Sequence, residues 1–217
     1  MTAAADAVPL LVEIRGRRVV GIGGGSVAAA KLLPLASNYG AALTVVAPRI
    51  DDRLVALATW HERSYDGPVD LEGAALVVAG TDDAQVNARV AGDAADAGIL
   101  CVRTDSQEQA TAAFPATLRH GPLTISVGTD RRSPTVARWL RSQLEQTYGP
   151  EYGDLVLLLG DLRRDPRVHT ALACLTPDER RLAWRSIPLV DILDLLRSGA
   201  RDSAKEVAAA CLFSYSG

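Results

Sequence analysis

Gly23-Gly24-Gly25 follows the apolar run 19–22 and leads straight into Ser26-Val27-Ala28-Ala29-Ala30-Lys31. Three glycines between a strand-like and a helix-like segment suit one task, which is to hold a dinucleotide pyrophosphate against backbone amides. The first glycine turns the chain, the second lets phosphate approach main chain that no Cβ screens, and a small third residue keeps helix and strand close. Gly23, Gly25 and Ala28 take those positions, with Gly24, Ser26 and Val27 completing the loop. The amides and dipole at the helix start favour an anion. A glycine-rich turn that binds nothing is the plainer alternative, but it leaves the backbone entropy cost of three adjacent glycines unexplained.

Asp105 is the candidate for proton chemistry. It closes the strand-like segment that ends in Val102-Arg103-Thr104, at the edge where open α/β sheets bind ligands. A carboxylate there accepts a proton from a substrate beside a nicotinamide, or orients a nitrogen through a charged hydrogen bond. The competing reading is a loop acid paired with Arg103. Thr81-Asp82-Asp83 falls at another strand end, with Asn87 one turn later. Thr81 and Asp82 are expected beside the cofactor, and capping of the next helix is the alternative use of either aspartate. Ala47-Pro48, ending the second strand, completes the expected cofactor contacts.

Between residues 103 and 141 six arginines face three acids, in a chain whose net charge is −3. Such a patch suits an anionic ligand, since guanidinium groups pair bidentately with carboxylates. Arg103, Arg119, His120, Arg131, Arg132 and Ser133 are the expected substrate contacts, with Arg131 and Arg132 favoured because they precede a helix N-terminus. A solvated surface with dimer salt bridges is the alternative. At the end of strand two, Val-Val-Ala-Pro-Arg offers no acid to an adenosine ribose, and Arg49 suits a 2′-phosphate, so NAD against NADP stays open. The three histidines and three cysteines lack ligand spacing, so no structural metal site is expected.

These residues need a sheet to position them. Strands are expected at 19–22, 43–47, 59–65, 76–79 and 99–102, with a further edge strand at 9–14 after a ragged start over residues 1–8. Helices are expected over 26–39, stopped by Gly40, and from Thr81-Asp82-Asp83 to Gly98. This alternation predicts a Rossmann-type parallel sheet. Segments 112–119 and 123–127 read as a β pair, and Ser133-Pro134 as the cap and first residue of a helix carrying Val136, Trp139, Leu140 and Leu144. From residue 150 onward leucine stripes predict helices. The expected domains are 1–105, cofactor binding; 106–149, a small β-rich dimerisation and substrate region; and 150–217, helical. Of the 217 residues 48% are apolar and 23% charged, which is globular composition. Net acidity gives no support for a nucleic-acid partner. No run reaches the roughly 18 apolar residues of a membrane span and no leader is recognisable, while three cysteines, far apart and odd in number, point to a reduced cytoplasmic setting.

Six stretches in order carry a resemblance: Gly23-Gly24-Gly25-Ser26-Val27-Ala28 with Lys31; Thr44-Val45-Val46-Ala47-Pro48; Ala79-Gly80-Thr81-Asp82-Asp83 with Val86-Asn87; Phe114-Pro115; Gly121-Pro122-Leu123-Thr124; and Ser133-Pro134. Together they resemble the precorrin-2 dehydrogenase family, the dehydrogenase and chelatase module of siroheme synthases, over about residues 8–165. The resemblance implies a homodimer that oxidises precorrin-2 to sirohydrochlorin with NAD, in siroheme or cobalamin biosynthesis. The family's catalytic aspartate maps to Asp105. Some members also insert ferrous iron, so iron or cobalt enters as a chelation substrate. The chain departs from the pattern where the family's Gly-Gly is Arg131-Arg132 and where an acidic-Arg pair is Arg119-His120. Thr129 aligns with a residue phosphorylated in some relatives. Two rivals stand beside this reading: a bifunctional or dedicated sirohydrochlorin ferrochelatase, and a nonenzymatic dinucleotide or tetrapyrrole sensor.

Overall fold

Alternating apolar runs and helix-forming stretches produce five parallel strands among the described residues of the first part of the chain: β1 (Arg18–Ile22), β2 (Ala42–Val46), β3 (Ala58–His61), β4 (Leu76–Ala79) and β5 (Leu100–Arg103). The structure, a computed structural model, describes residues 7–106 and 108–215. The strand order is β3-β2-β1-β4-β5. The chain moves outward from β1 and then returns to lay β4 on the other side of β1, with Val19 opposite Leu76 and Ile22 opposite Ala79. That reversal opens a crevice beyond the carboxyl ends of β1 and β4. After Arg18 at the start of β1, both strands are apolar without interruption, as strands covered on both faces must be. Val19, Val45 and Val78 point into one core with Leu32 of α1 (Ser26–Ser37). Val20 and Val77 point into the other, with Val90 and Ala94 of α3 (Ala84–Asp96). A short helix, α2 (Asp52–Val55), follows β2.

The edge strand expected at 9–14 is absent. Residues 8–14 join no sheet, and Val8, Leu10, Leu11 and Val12 are exposed. Only Ile14 of this run is buried. The run lacks the alternation of a half-buried strand, and Pro9 has no amide to give to a ladder. Most of the ragged start, residues 1–6, lies outside the described residues. The segment expected as a strand over 59–65 stops at His61, because Arg63 turns to pair with the buried Asp70 and Tyr65 donates its hydroxyl proton to Asp93.

Two compact units divide the chain at residues 114 and 115. The second opens with an antiparallel pair, β6 (Ala116–His120) and β7 (Leu123–Val127). Among the described residues six helices follow: α4 (Pro134–Thr147), α5 (Pro150–Arg164), α6 (Pro166–Leu172), α7 (Pro177–Arg185), α8 (Leu189–Arg197) and α9 (Arg201–Phe213). Proline begins α4, α5, α6 and α7, where its missing amide is harmless. Asp165 ends α5 and caps α6, and Thr176 with Glu179 forms a capping box on α7. Leu158, Leu162, Val168, Ile192, Ala208 and Leu212 are the heart of this unit's core. α4 buries Ala137 but leaves Val136 45% and Trp139 59% exposed.

Candidate functional site

At the carboxyl end of β1 the backbone dictates two of the three glycines. The Gly23 amide donates to the Val46 carbonyl at 3.0 Å and the Gly80 amide to the Ile22 carbonyl at 2.8 Å, which draws the ends of β2, β1 and β4 together. Gly23 has φ +104, and a Cβ there would overlap the Gly80 carbonyl. A Cβ on Gly24 would overlap the Arg49 carbonyl. Gly25 differs: its φ is −73, and an added Cβ meets nothing within 4 Å. The chain's own packing does not ask for a glycine at Gly25.

Gly25 is the N-cap of α1, which has no side-chain cap and no acid in its first turn. The helical ladder begins with the Ala29 amide on the Gly25 carbonyl at 2.9 Å. The amides of Ser26, Val27 and Ala28 precede that bond and are the donors such a terminus presents to an anion. Ala28 is fully buried, and its methyl group would lie 3.1 Å from a Cβ on Gly80, so a larger residue would push α1 off the sheet. An uncapped helix start beside an open glycine fits a dinucleotide pyrophosphate.

The β2 end forms one wall of this turn. Trp60 donates its indole N–H to the Ala47 carbonyl at 2.9 Å, Pro48 follows, and the Asp51 amide donates to the Gly24 carbonyl at 2.8 Å. The Asp51 carboxylate is committed to its neighbourhood. It takes two bonds of 2.8 Å from the Arg53 guanidinium and one of 3.1 Å from the Arg53 amide, which hold its pKa down to about 2. Arg49 stands exposed at the same rim.

Beyond β4, Thr81 is locked by a residue the sequence did not single out for a role. Asn87 is fully buried; its Oδ1 accepts from the Thr81 amide at 2.9 Å and hydroxyl at 2.8 Å, and its Nδ2 donates to the Thr81 carbonyl at 3.0 Å. The signal was available, since Asn87 lies on the stripe of Val90, Ala91 and Ala94 as its one polar member. Asp83 is the residue that caps α3, accepting from the Gln85 and Val86 amides, and Asp82 is exposed beside it.

Asp105, two residues past β5, is gripped by Arg103. Nε donates to Oδ1 at 3.1 Å and Nη2 to Oδ2 at 2.9 Å, while Nη1 donates to the Glu108 carbonyl at 3.1 Å. The Arg103 side chain is only 5% exposed, so its guanidinium is spent on this loop. Its hydrogen bonds, with a further one from the Asn87 side chain, pull the Asp105 pKa to about 2. The site therefore presents a carboxylate that stays ionised, is fixed in direction and is a weak base.

Gly23 to Ala28, Ala47, Pro48, Thr81, Asp82, Arg103 and Asp105 thus all belong to the first unit and to the carboxyl edge of its sheet. Arg119, His120, Arg131, Arg132 and Ser133 belong to the second. Arg119 and His120 sit at the β6–β7 turn, where Arg119 Nε donates to the Gly121 carbonyl at 3.1 Å. His120 Nε2 is buried with no hydrogen-bond partner among the described residues. Arg131 and Arg132 follow the opposite end of the pair, beyond Val127. Asp130 and Arg131 both adopt left-handed backbone, φ 52 and 61, at a cost of about 1–2 kcal/mol each. Thr129 secures this loop by accepting from the Ser133 amide and donating to its carbonyl, and Ser133 caps α4 through the Val136 amide at 3.2 Å. Among the described residues no group of three or more His, Cys, Asp and Glu is placed to hold a metal ion, and no helix is long and apolar enough to cross a membrane.

Residues 10–116 match the family described as "Putative NAD(P)-binding". The siroheme synthase of Pseudomonas putida (strain W619) is 37% identical over 192 residues, covering 84% of this chain and 39% of that protein. The siroheme synthase of Azotobacter vinelandii is 34% identical over 214 residues, covering 95% and 44%. The chain spans about two-fifths of the length of these curated relatives. A solved structure titled "SirC, precorrin-2 dehydrogenase" superposes with a TM-score of 0.66 over 96% of this chain and 100% of its own, at 19% identity, which is a likeness of fold.

Proposed function

The chain belongs to the precorrin-2 dehydrogenase and siroheme synthase family, and from that premise we propose that it oxidises precorrin-2 to sirohydrochlorin with a nicotinamide dinucleotide. The observation that carries the reading is the start of α1, uncapped and open at Gly25, at the point where the sheet reverses. NAD, when bound, supplies the hydride acceptor. The Ser26, Val27 and Ala28 amides hold its pyrophosphate, Ala47 and Pro48 border the adenosine, and Thr81, locked by Asn87, borders the nicotinamide with Asp82. Asp105 directs the substrate by accepting a hydrogen bond from a pyrrole N–H and by countering positive charge as hydride leaves. The proton lost along with the hydride goes to solvent, since a carboxylate held near pKa 2 suits those tasks better than net proton removal. Arg119, His120, Arg131, Arg132 and Ser133 are proposed to meet substrate carboxylates.

We read the active form as a cytoplasmic homodimer in which a second copy covers the exposed face of α4 at Val136 and Trp139. The coupled assay tests the enzymatic reading: purified chain, precorrin-2 and either NAD or NADP should yield sirohydrochlorin and reduced nicotinamide in equal amounts. Dinucleotide binding without turnover would reduce the chain to a sensor. Ferrous-ion-dependent consumption of sirohydrochlorin, with no oxidation step, would reassign it to chelation.

A further inference from the structure

Helices α5, α6 and α7 meet around Trp184. Arg163 of α5 lays its guanidinium over the indole, 4.7 Å from the ring centroid. Two adjoining cavities, of about 280 and 250 Å³, share Arg163, Arg180 and Trp184 in their walls. Arg181 and Arg185 complete the first; Val168, His169 and Leu172 complete the second. Val168 and Leu172 are core residues, so an apolar floor lies under a cationic rim. No carboxylate lines either cavity among the described residues.

That absence contrasts with how this chain treats its other helical arginines. Arg164 is paired with Asp161 at 2.9 Å, Arg167 with Asp165 at 2.7 Å and Arg197 with both Glu151 and Asp194. Around Trp184 only Arg181 has such a partner, Asp178, and both ends of that pair are exposed. Glu179, the other nearby acid, is spent on the Thr176 capping box. Arg163, Arg180 and Arg185 make no ion pair among the described residues. Gathering like charges without a counter-charge is unfavourable unless an anion arrives to relieve it. Guanidinium forks match carboxylates, and an indole with aliphatic neighbours matches a flat apolar body.

We propose that the groove around Trp184 is a second ligand site, for an anion whose flat apolar body carries several carboxylates. Resting on the function argued above, that ligand is the carboxylated tetrapyrrole itself, held by one edge.

Trp184 reports on its own site once Trp60→Phe and Trp139→Phe remove the other indoles. Uroporphyrin, an oxidised octacarboxylate macrocycle, is titrated into that protein and Trp184 fluorescence is followed, with inorganic phosphate as a competing simple anion. Saturable quenching is expected, weakened about 10-fold by either Arg163→Ala or Arg185→Ala, the scale of one charged hydrogen-bonded contact. Quenching that does not saturate, that is unchanged in both arginine variants, or that phosphate abolishes at equal concentration would overturn the site. Precorrin-2 oxidation, assayed in the parent and in the single arginine variants with Trp60 and Trp139 retained, keeps the two readings apart. Quenching lost while turnover persists removes only the groove, and turnover absent while arginine-dependent quenching persists removes only the enzymatic reading.

Discussion

The carboxylate of Asp105 and the guanidinium of Arg103 form a matched fork, and the match limits what the acid does. With its pKa drawn to about 2, Asp105 stays charged throughout the neutral range. Its usefulness then lies in direction and charge, both of which Asp105→Asn impairs while keeping the shape. Oxidation is expected to fall at least ~10-fold in that variant, the usual scale for a positioned polar group, with NAD affinity nearly intact. Single-turnover rates beside a cofactor titration check this, and near-normal turnover would remove Asp105 from the chemistry. The acid itself was legible from its position at a strand end, and Arg103 was legible as its rival partner. What no pattern of residue types conveyed is that the pairing uses every edge of a buried guanidinium, because that depends on the Glu108 carbonyl folding back to meet it.

At the scale of elements, the start of α1 separates what the fold needs from what a ligand needs. Gly23→Ala and Gly24→Ala collide with backbone, so loss of function in either would say nothing about binding. Gly25→Ala is the informative change, since its φ is ordinary and its surroundings are open. Its thermal unfolding should stay within about 1 kcal/mol of the parent, the scale of a poorer N-cap, while NAD affinity drops at least ~10-fold as the methyl group displaces phosphate. Unchanged affinity would move the pyrophosphate elsewhere. The five strands, the hairpin and most helices were legible because their periods and caps are local signals. The failed edge strand at 9–14 was not, because hydropathy marks what should be buried without saying whether a ladder partner exists. Asp130 and Arg131 were also beyond reach, since residue types that avoid left-handed backbone do not announce that they occupy it.

For the whole molecule, two outcomes follow from charge and exposed surface. Asp51, Asp105 and Asp165 all have pKa values lowered to about 2, each first by an arginine hydrogen bond. Against about 3.9 in the unfolded chain, the stability they contribute is complete above roughly pH 4 and is lost as pH falls through 4 towards 2. Melting temperatures should be flat between about pH 5 and pH 8 on their account and decline below 4; a rise on acidification would contradict the pairing. Trp139→Glu should convert a dimer to folded monomers in sedimentation velocity, and a parent that sediments as a monomer would end the dimer reading. One consequence of the β1–β4 pairing concerns synthesis on the ribosome. The two lips of the crevice, Gly23 and Gly80, directly follow strands that become neighbours only after β2 and β3 have been translated. A nascent chain halted before Ala79 would expose β1 on one flank and have no pocket, so the cofactor cannot act as a template for the earliest steps of folding and can only reward a sheet already assembled.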